Sequence, residues 1–130
     1  MKTVLLCALL VPLCLSAAGA KTKKQRQIQP CEERSSQAEA SACAFQEYKA
    51  ADAELNRVYG RLAAKLDAGG KALLKDSELG WLKYRDANCV FESSFYKGGT
   101  MRPMVESLCL SRVTKTRTAE LKQQLELYEQ

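Results

Sequence analysis

Two stretches decide how this chain folds: Asp52-Ala53-Glu54-Leu55-Asn56-Arg57-Val58-Tyr59 and, thirty residues or so later, Trp81-Leu82-Lys83-Tyr84-Arg85-Asp86-Ala87-Asn88-Cys89. In the first, Asp52, Leu55, Asn56 and Tyr59 recur at steps of three, one and three; in the second, Trp81, Arg85 and Cys89 recur at steps of four. Side chains three or four apart share one face of an α-helix. Each stretch therefore sets polar groups beside large apolar ones on a single stripe. Polar groups on a core-facing stripe are costly unless they find partners, so the two segments are expected to meet.

Working outward, the same periodicity extends into three helices. Ser36-x-x-Glu39 is a capping-box pattern, in which the serine oxygen accepts from first-turn amides and the glutamate reaches back. From there Phe45, Tyr48, Leu55, Val58, Tyr59, Leu62 and Leu66 trace an apolar stripe. Asp67-Ala68-Gly69-Gly70 is expected to end this first helix, glycine tolerating the positive φ of a C-terminal cap. A second helix is expected from near Lys71, with Leu74, Trp81, Tyr84, Phe91 and Phe95 on its apolar side. Gly80 inside it costs about 1 kcal/mol relative to alanine. Lys97-Gly98-Gly99-Thr100 ends that element. The third helix opens with Thr100 as N-cap and Pro103 in the first turn, where a missing N–H does little harm. Met104, Val105, Leu108, Val113, Leu121 and Leu125 form its apolar side. Short connections favour antiparallel neighbours, so the expected fold is all-α, a small antiparallel three-helix bundle.

Residues 1–20 read as an export signal: Lys2 supplies the charged start, Val4 to Leu15 the apolar run and Ala18-Gly19-Ala20 the small-x-small cleavage site. The run is too short for a membrane span of about 20 residues, and Leu13 before Cys14 is not the small residue of a lipid-attachment site. A soluble protein beginning near Lys21, periplasmic or secreted, is expected. Cys7 and Cys14 leave with the signal, and the remaining Cys31, Cys43, Cys89 and Cys109 are an even four in an exported chain, which implies two disulfides. Antiparallel packing gathers all four at one end of the bundle. Local pairing, Cys31–Cys43 and Cys89–Cys109, is expected among the three connectivities, each loop contributing roughly 3 kcal/mol; a Cys43–Cys89 bridge is also within reach. With no C-x-x-C pair, a zinc site is not expected.

The net charge of +5 is carried by Lys2, Lys21, Lys23, Lys24 and Arg26, since no acid precedes Glu32, so residues 31–130 are neutral overall. Residues 21–30 read as a basic flexible tail, able to touch an anionic envelope surface. A neutral domain does not suit nucleic acid; Arg112, Lys115 and Arg117 read as a solvated face balanced by nearby glutamates. Tyr48, Tyr59, Trp81 and Tyr84 are expected to pack in the core with their hydroxyls at the rim.

The chain contains no histidine, which removes the commonest general base and metal ligand near neutral pH. Four oxidised cysteines leave no thiolate, and there is no phosphate-binding loop, dinucleotide fingerprint or nucleophile elbow. Asp52 and Asp86 are the carboxylates to test for glycoside hydrolysis. Their neighbours favour another role, a structural polar network of Asp52, Asn56, Arg85 and Asp86 bridging helices one and two, with Arg117 joining from helix three. A buried arginine needs such partners. No enzyme and no cofactor is expected.

The two stretches, with Cys31, Cys43, Cys109 and Thr114-x-x-Arg117-x-x-x-Leu121, resemble the LprI-like lysozyme-inhibitor family over roughly residues 31 to 125. The resemblance implies an exported protein that binds lysozyme and blocks peptidoglycan cleavage. Glu78 stands where the family commonly has glutamine, and Gly80 is an unusual helix-interior choice. A lysozyme cleft holds two catalytic carboxylates, so a loop presenting cations is the expected contact. Lys97, Gly98, Gly99, Thr100 and Arg102, between helices two and three, form the candidate loop. Animal lysozymes are usually basic, and Glu32, Glu33 and Glu39 offer a local acidic patch. The alternative function is a non-enzymatic envelope-associated binding domain without lysozyme activity.

Overall fold

The computed structural model describes residues 30–129. The export signal at 1–20 and the basic tail, apart from Pro30, lie outside the described residues. A 3-10 turn, Cys31–Glu33, leads into three helices: α1 (Gln37–Lys65), α2 (Ala68–Ser94) and α3 (Arg102–Glu126). The fold is an antiparallel three-helix bundle held by two disulfides, with no strand among the described residues. At 1.5 Å per residue, helices of 29, 27 and 25 residues run to about 40 Å each.

The central element is α3. It lies along α1 for most of its length and also carries α2, while α1 and α2 barely touch each other. Its composition fits that position. Ser107, Ser111, Thr114 and Thr118 are buried along it, small enough to let two helices approach. Ala40, Ala44 and Ala51 play the same part on the facing side of α1. Larger side chains fill the end where α1 turns into α2: Leu55, Val58, Leu62, Leu74, Leu121 and Leu125, with Tyr59, Leu66 and Trp81 packed against them. At the opposite end Cys31, Ala40, Ala44 and Met104 form one small cluster, and Cys89, Cys109 and Val113 another.

The turn between α1 and α2 differs from expectation. Asp67 is the N-cap of α2, its carboxylate accepting from the Gly70 N–H at 2.7 Å. Ala68, Gly69 and Gly70 are the first turn of α2 rather than a stop for α1, and the connection is only Leu66 and Asp67. The Asp67 carboxylate takes up a free first-turn N–H of α2, and α1 ends at Leu66 in extended conformation without using the glycines. Gly70 serves contact instead: a Cβ there would stand 3.2 Å from Leu66 Cβ. Gly98, φ +80°, is the one left-handed glycine among the described residues.

Two other end signals are also redirected. Ser36 caps α1 by accepting from the Glu39 N–H at 3.2 Å, but the Glu39 carboxylate accepts from the Ser35 hydroxyl rather than reaching back to the cap. Thr100 does not cap α3. Met101 precedes the helix in helical conformation without a side-chain cap, and Pro103 lies in the first turn.

The expected apolar side of α2 is only half used. Leu74 and Cys89 are buried, whereas Phe91 and Phe95 are 66% and 75% exposed, and Tyr84 also stands in solvent. Two helices would be needed to cover both flanks of α2, and α1 has swung away from it. Phe91 and Phe95 cover each other edge-to-face at 5.4 Å. The open space beside Gly80 shows that this glycine supports no close helix approach.

Candidate functional site

The two deciding stretches meet across the mouth between α1 and α2. Arg85 is 7% exposed and is the hub. Its guanidinium lies 5.2 Å from the Trp81 ring and 5.6 Å from the Tyr48 ring, sandwiching the cation between α2 and α1. Asp86 accepts from Arg85 Nε at 2.8 Å, and Asp52 accepts from Nη1 at 3.5 Å across the helix gap. Asn56 donates to both the backbone oxygen and the carboxylate of Asp52, at 2.9 and 3.2 Å, which orients that carboxylate. A glycosidase needs an acid and a base on opposite sides of a bound sugar bond. Here both carboxylates turn to one guanidinium, and the Asp52 contact links α1 to α2.

Arg117 lies elsewhere. It is buried on α3 and donates to Glu78 at 3.0 Å, to Glu120 at 3.0 Å and to the Ser77 hydroxyl at 3.1 Å. This second network binds α3 to α2, one helix over from the Arg85 network. The residue at 78 is therefore the acidic partner of a buried arginine, and the glutamate at this position gains a charge-assisted bond. Its Oε1 is buried with no partner among the described residues. Of the three basic residues read as a solvated face, Arg112 pairs with Glu92 at 2.7 Å and Lys115 with Glu47 at 3.6 Å, but Arg117 is not solvated. Sequence reasoning missed Ser77, Glu78 and Glu120; the spacing Glu78-to-Trp81 on a helix was the available signal.

The disulfides are Cys31–Cys43 and Cys89–Cys109, with Cα–Cα separations of 5.5 Å each. Cys31, Cys43 and Glu47 lie close enough together to suggest a metal site, but sulfur tied in a disulfide offers no thiolate. The Cys89–Cys109 bridge brackets the segment between α2 and α3. In that segment Phe95, Tyr96, Lys97, Gly98, Gly99, Thr100 and Met101 are all exposed, and Arg102 is half-buried at the start of α3. The Gly99 N–H donates to Tyr96 C=O at 2.9 Å, closing a tight turn around Gly98. The turn thus holds Lys97 out at the tip of the bundle. It lies far along α2 from the Arg85 hub, so the two groups of residues singled out in the sequence form separate features.

On the exposed side, Glu54 sits between Arg57 and Lys122, 2.8 Å from each. Hydrogen bonds from these cations lower its pKa to about 2, and Glu54 correspondingly raises that of Arg57.

Comparison with known proteins bears on this arrangement. The family described as Lysozyme inhibitor LprI matches residues 31–121, which takes in both disulfides, both deciding stretches and Arg117. The chain belongs to the LprI lysozyme-inhibitor family. A protein of Rhizobium meliloti (strain 1021), itself described as uncharacterized, is 36% identical over 132 residues, covering 92% of this chain and 93% of that one. No solved structure matches. The LprI assignment suggests a lysozyme-inhibitor-like role. Two disulfides point to an oxidising compartment, and no described helix is long and apolar enough to cross a membrane.

Proposed function

We propose that this protein is exported to the periplasm or beyond the cell, binds lysozyme and blocks peptidoglycan cleavage without being an enzyme. The observation that carries the reading is the LprI match across residues 31–121. The segment from Tyr96 to Arg102 is the proposed inhibitory element. Lys97 stands exposed on a glycine turn, suited to entering a cleft whose two carboxylates attract a cation. The Cys89–Cys109 bridge fixes both stems of the segment, so little freedom is lost when it binds. Exposed Phe95, Tyr96 and Met101 beside it add apolar contact area. Replacing Lys97 and Arg102 together with alanine should weaken inhibition by tenfold or more, since each desolvated charged contact is worth about 1.5–3 kcal/mol. Undiminished inhibition by that variant would remove the loop from the mechanism.

A further inference from the structure

Besides the stripe it buries against α3, α2 carries a second one that faces solvent. Ser77, Tyr84 and Phe91 recur every seven residues, and so do Leu73, Gly80, Ala87 and Ser94. Interleaved at alternating steps of four and three, the two sets form a seam of the coiled-coil type along the helix. All seven residues are exposed and none is charged. Leu73 is 74% and Tyr84 59% exposed, and a continuous apolar surface of this kind marks a contact. The two sets differ in size. Tyr84 and Phe91 project, whereas Gly80, Ala87 and Ser94 are small. Apart from the backbone of its own helix, nothing lies within 4 Å of a Cβ built at Gly80. The seam serines are engaged inside the subunit: Ser77 accepts from Arg117 at 3.1 Å, and Ser94 donates to the Phe91 C=O at 2.6 Å. Neither needs a polar partner from outside.

We propose that a second copy of this chain covers the seam, α2 against α2, antiparallel about a two-fold axis. Size and charge select that direction. In one antiparallel register Tyr84 of one copy stands over Ala87 of the other, Phe91 over Gly80, and Ser77 meets Ser94, so each ring finds a small residue. A parallel two-fold pair is held in register, which sets Tyr84 on Tyr84 and Phe91 on Phe91 and leaves a gap at Gly80. It also sets Asp76 and Lys83, exposed at the border of the seam, each against its own copy, a like-charge cost that the antiparallel pair avoids. The area is sufficient. With about 200 Å² for each fully exposed large side chain, Leu73, Tyr84 and Phe91 offer roughly 400 Å² at their observed exposures. The four small residues bring this to about 600 Å² per copy, and ~1,200 Å² in total is the lower bound of a specific interface. The two Tyr96–Arg102 turns come to opposite ends of the pair, and the dimer does not rest on the lysozyme reading.

The test is analytical ultracentrifugation of the purified, oxidised protein over a range of concentrations. The expected result is a reversible monomer–dimer equilibrium with a Kd on the order of micromolar, as suits an interface of this size. Phe91→Glu, which places a charge in the seam, should weaken association about tenfold or more. Gly80→Leu, which fills the space that receives Phe91, should also weaken it, although it adds apolar surface; that outcome separates this register from unspecific adhesion. Both positions are exposed in the subunit, and unchanged helical circular dichroism would show that each variant still folds. In a mixture of isotopically labelled and unlabelled protein, NMR should show an intermolecular contact between the Phe91 ring and the Gly80 Hα. A monomer at every concentration, which would leave the seam to a different protein, would overturn the proposal. So would association unchanged in Phe91→Glu or strengthened in Gly80→Leu, or a dimer without the Phe91–Gly80 contact.

Discussion

Replacing Arg85 should destabilise the bundle far more than replacing either of its acidic partners. Arg85→Ala removes two ring contacts, at 5.2 Å from Trp81 and 5.6 Å from Tyr48, worth about 1 kcal/mol each when partly desolvated. Its buried stem adds roughly another 1 kcal/mol of lost packing. The ion pairs add little. Asp86 is 61% and Asp52 34% exposed as side chains, so water screens them and takes them up again when the guanidinium goes. The loss is then about 3 kcal/mol, a fall in Tm of roughly 12–24 °C for a domain of this size. Asp52→Ala leaves Arg85 stacked and still paired to Asp86 at 2.8 Å. It should cost less than about 1 kcal/mol, partly offset by alanine's better helix propensity. Arg85→Lys keeps the charge but loses the flat stacking surface and should fall between the two. Thermal unfolding followed by circular dichroism measures all three. Equal losses for Asp52→Ala and Arg85→Ala would refute the reasoning, because the cross-helix ion pair would then outweigh the aromatic sandwich.

Other outcomes follow from the same structure. Gly60→Ala and Gly80→Ala, both in helix interiors with nothing within 4 Å of a new Cβ, should each stabilise by about 0.5–1 kcal/mol, whereas Gly70→Ala, crowding Leu66 and Asp67, should not; chemical denaturation checks the contrast. Reducing both disulfides, which close loops of 12 and 20 residues, should remove roughly 3 kcal/mol per bridge, read as a drop in the denaturant midpoint. The Glu54 pKa is lowered on folding to about 2 by Arg57 and Lys122. Its contribution is therefore present above the ordinary glutamate range and is lost as pH falls toward about 2. Carboxyl NMR titration should show that depressed midpoint, and salt should move it upward; an ordinary glutamate midpoint would contradict the Glu54–Arg57–Lys122 arrangement.

The helices were legible because their apolar spacing is long and regular, and the meeting of Asp52 with Arg85 followed from polar residues placed on core-facing stripes. The turn at Asp67 was misread because Asp-Ala-Gly-Gly carries two signals, a C-terminal breaker and an N-terminal cap, and local composition does not rank them. Tyr84, Phe91 and Phe95 were placed inside because periodicity reports which residues share a face, not whether a neighbour covers it. Arg117 was assigned to the wrong network for a related reason. Buried arginines must pair, but which carboxylate they reach depends on how far α1 diverges from α2, a property of the whole bundle. The part Glu78 plays is visible only once the fold lays Arg117 beside it, 3.0 Å away.

The central claim is tested most directly by a peptidoglycan-clearing assay in which the purified, oxidised protein is added to lysozymes of several classes. The account predicts dose-dependent inhibition of at least one class, lost when the Cys31–Cys43 and Cys89–Cys109 bridges are reduced. Full lysozyme activity in the presence of excess, demonstrably folded protein, for every class tried, would contradict it and leave an envelope-associated binding domain in its place.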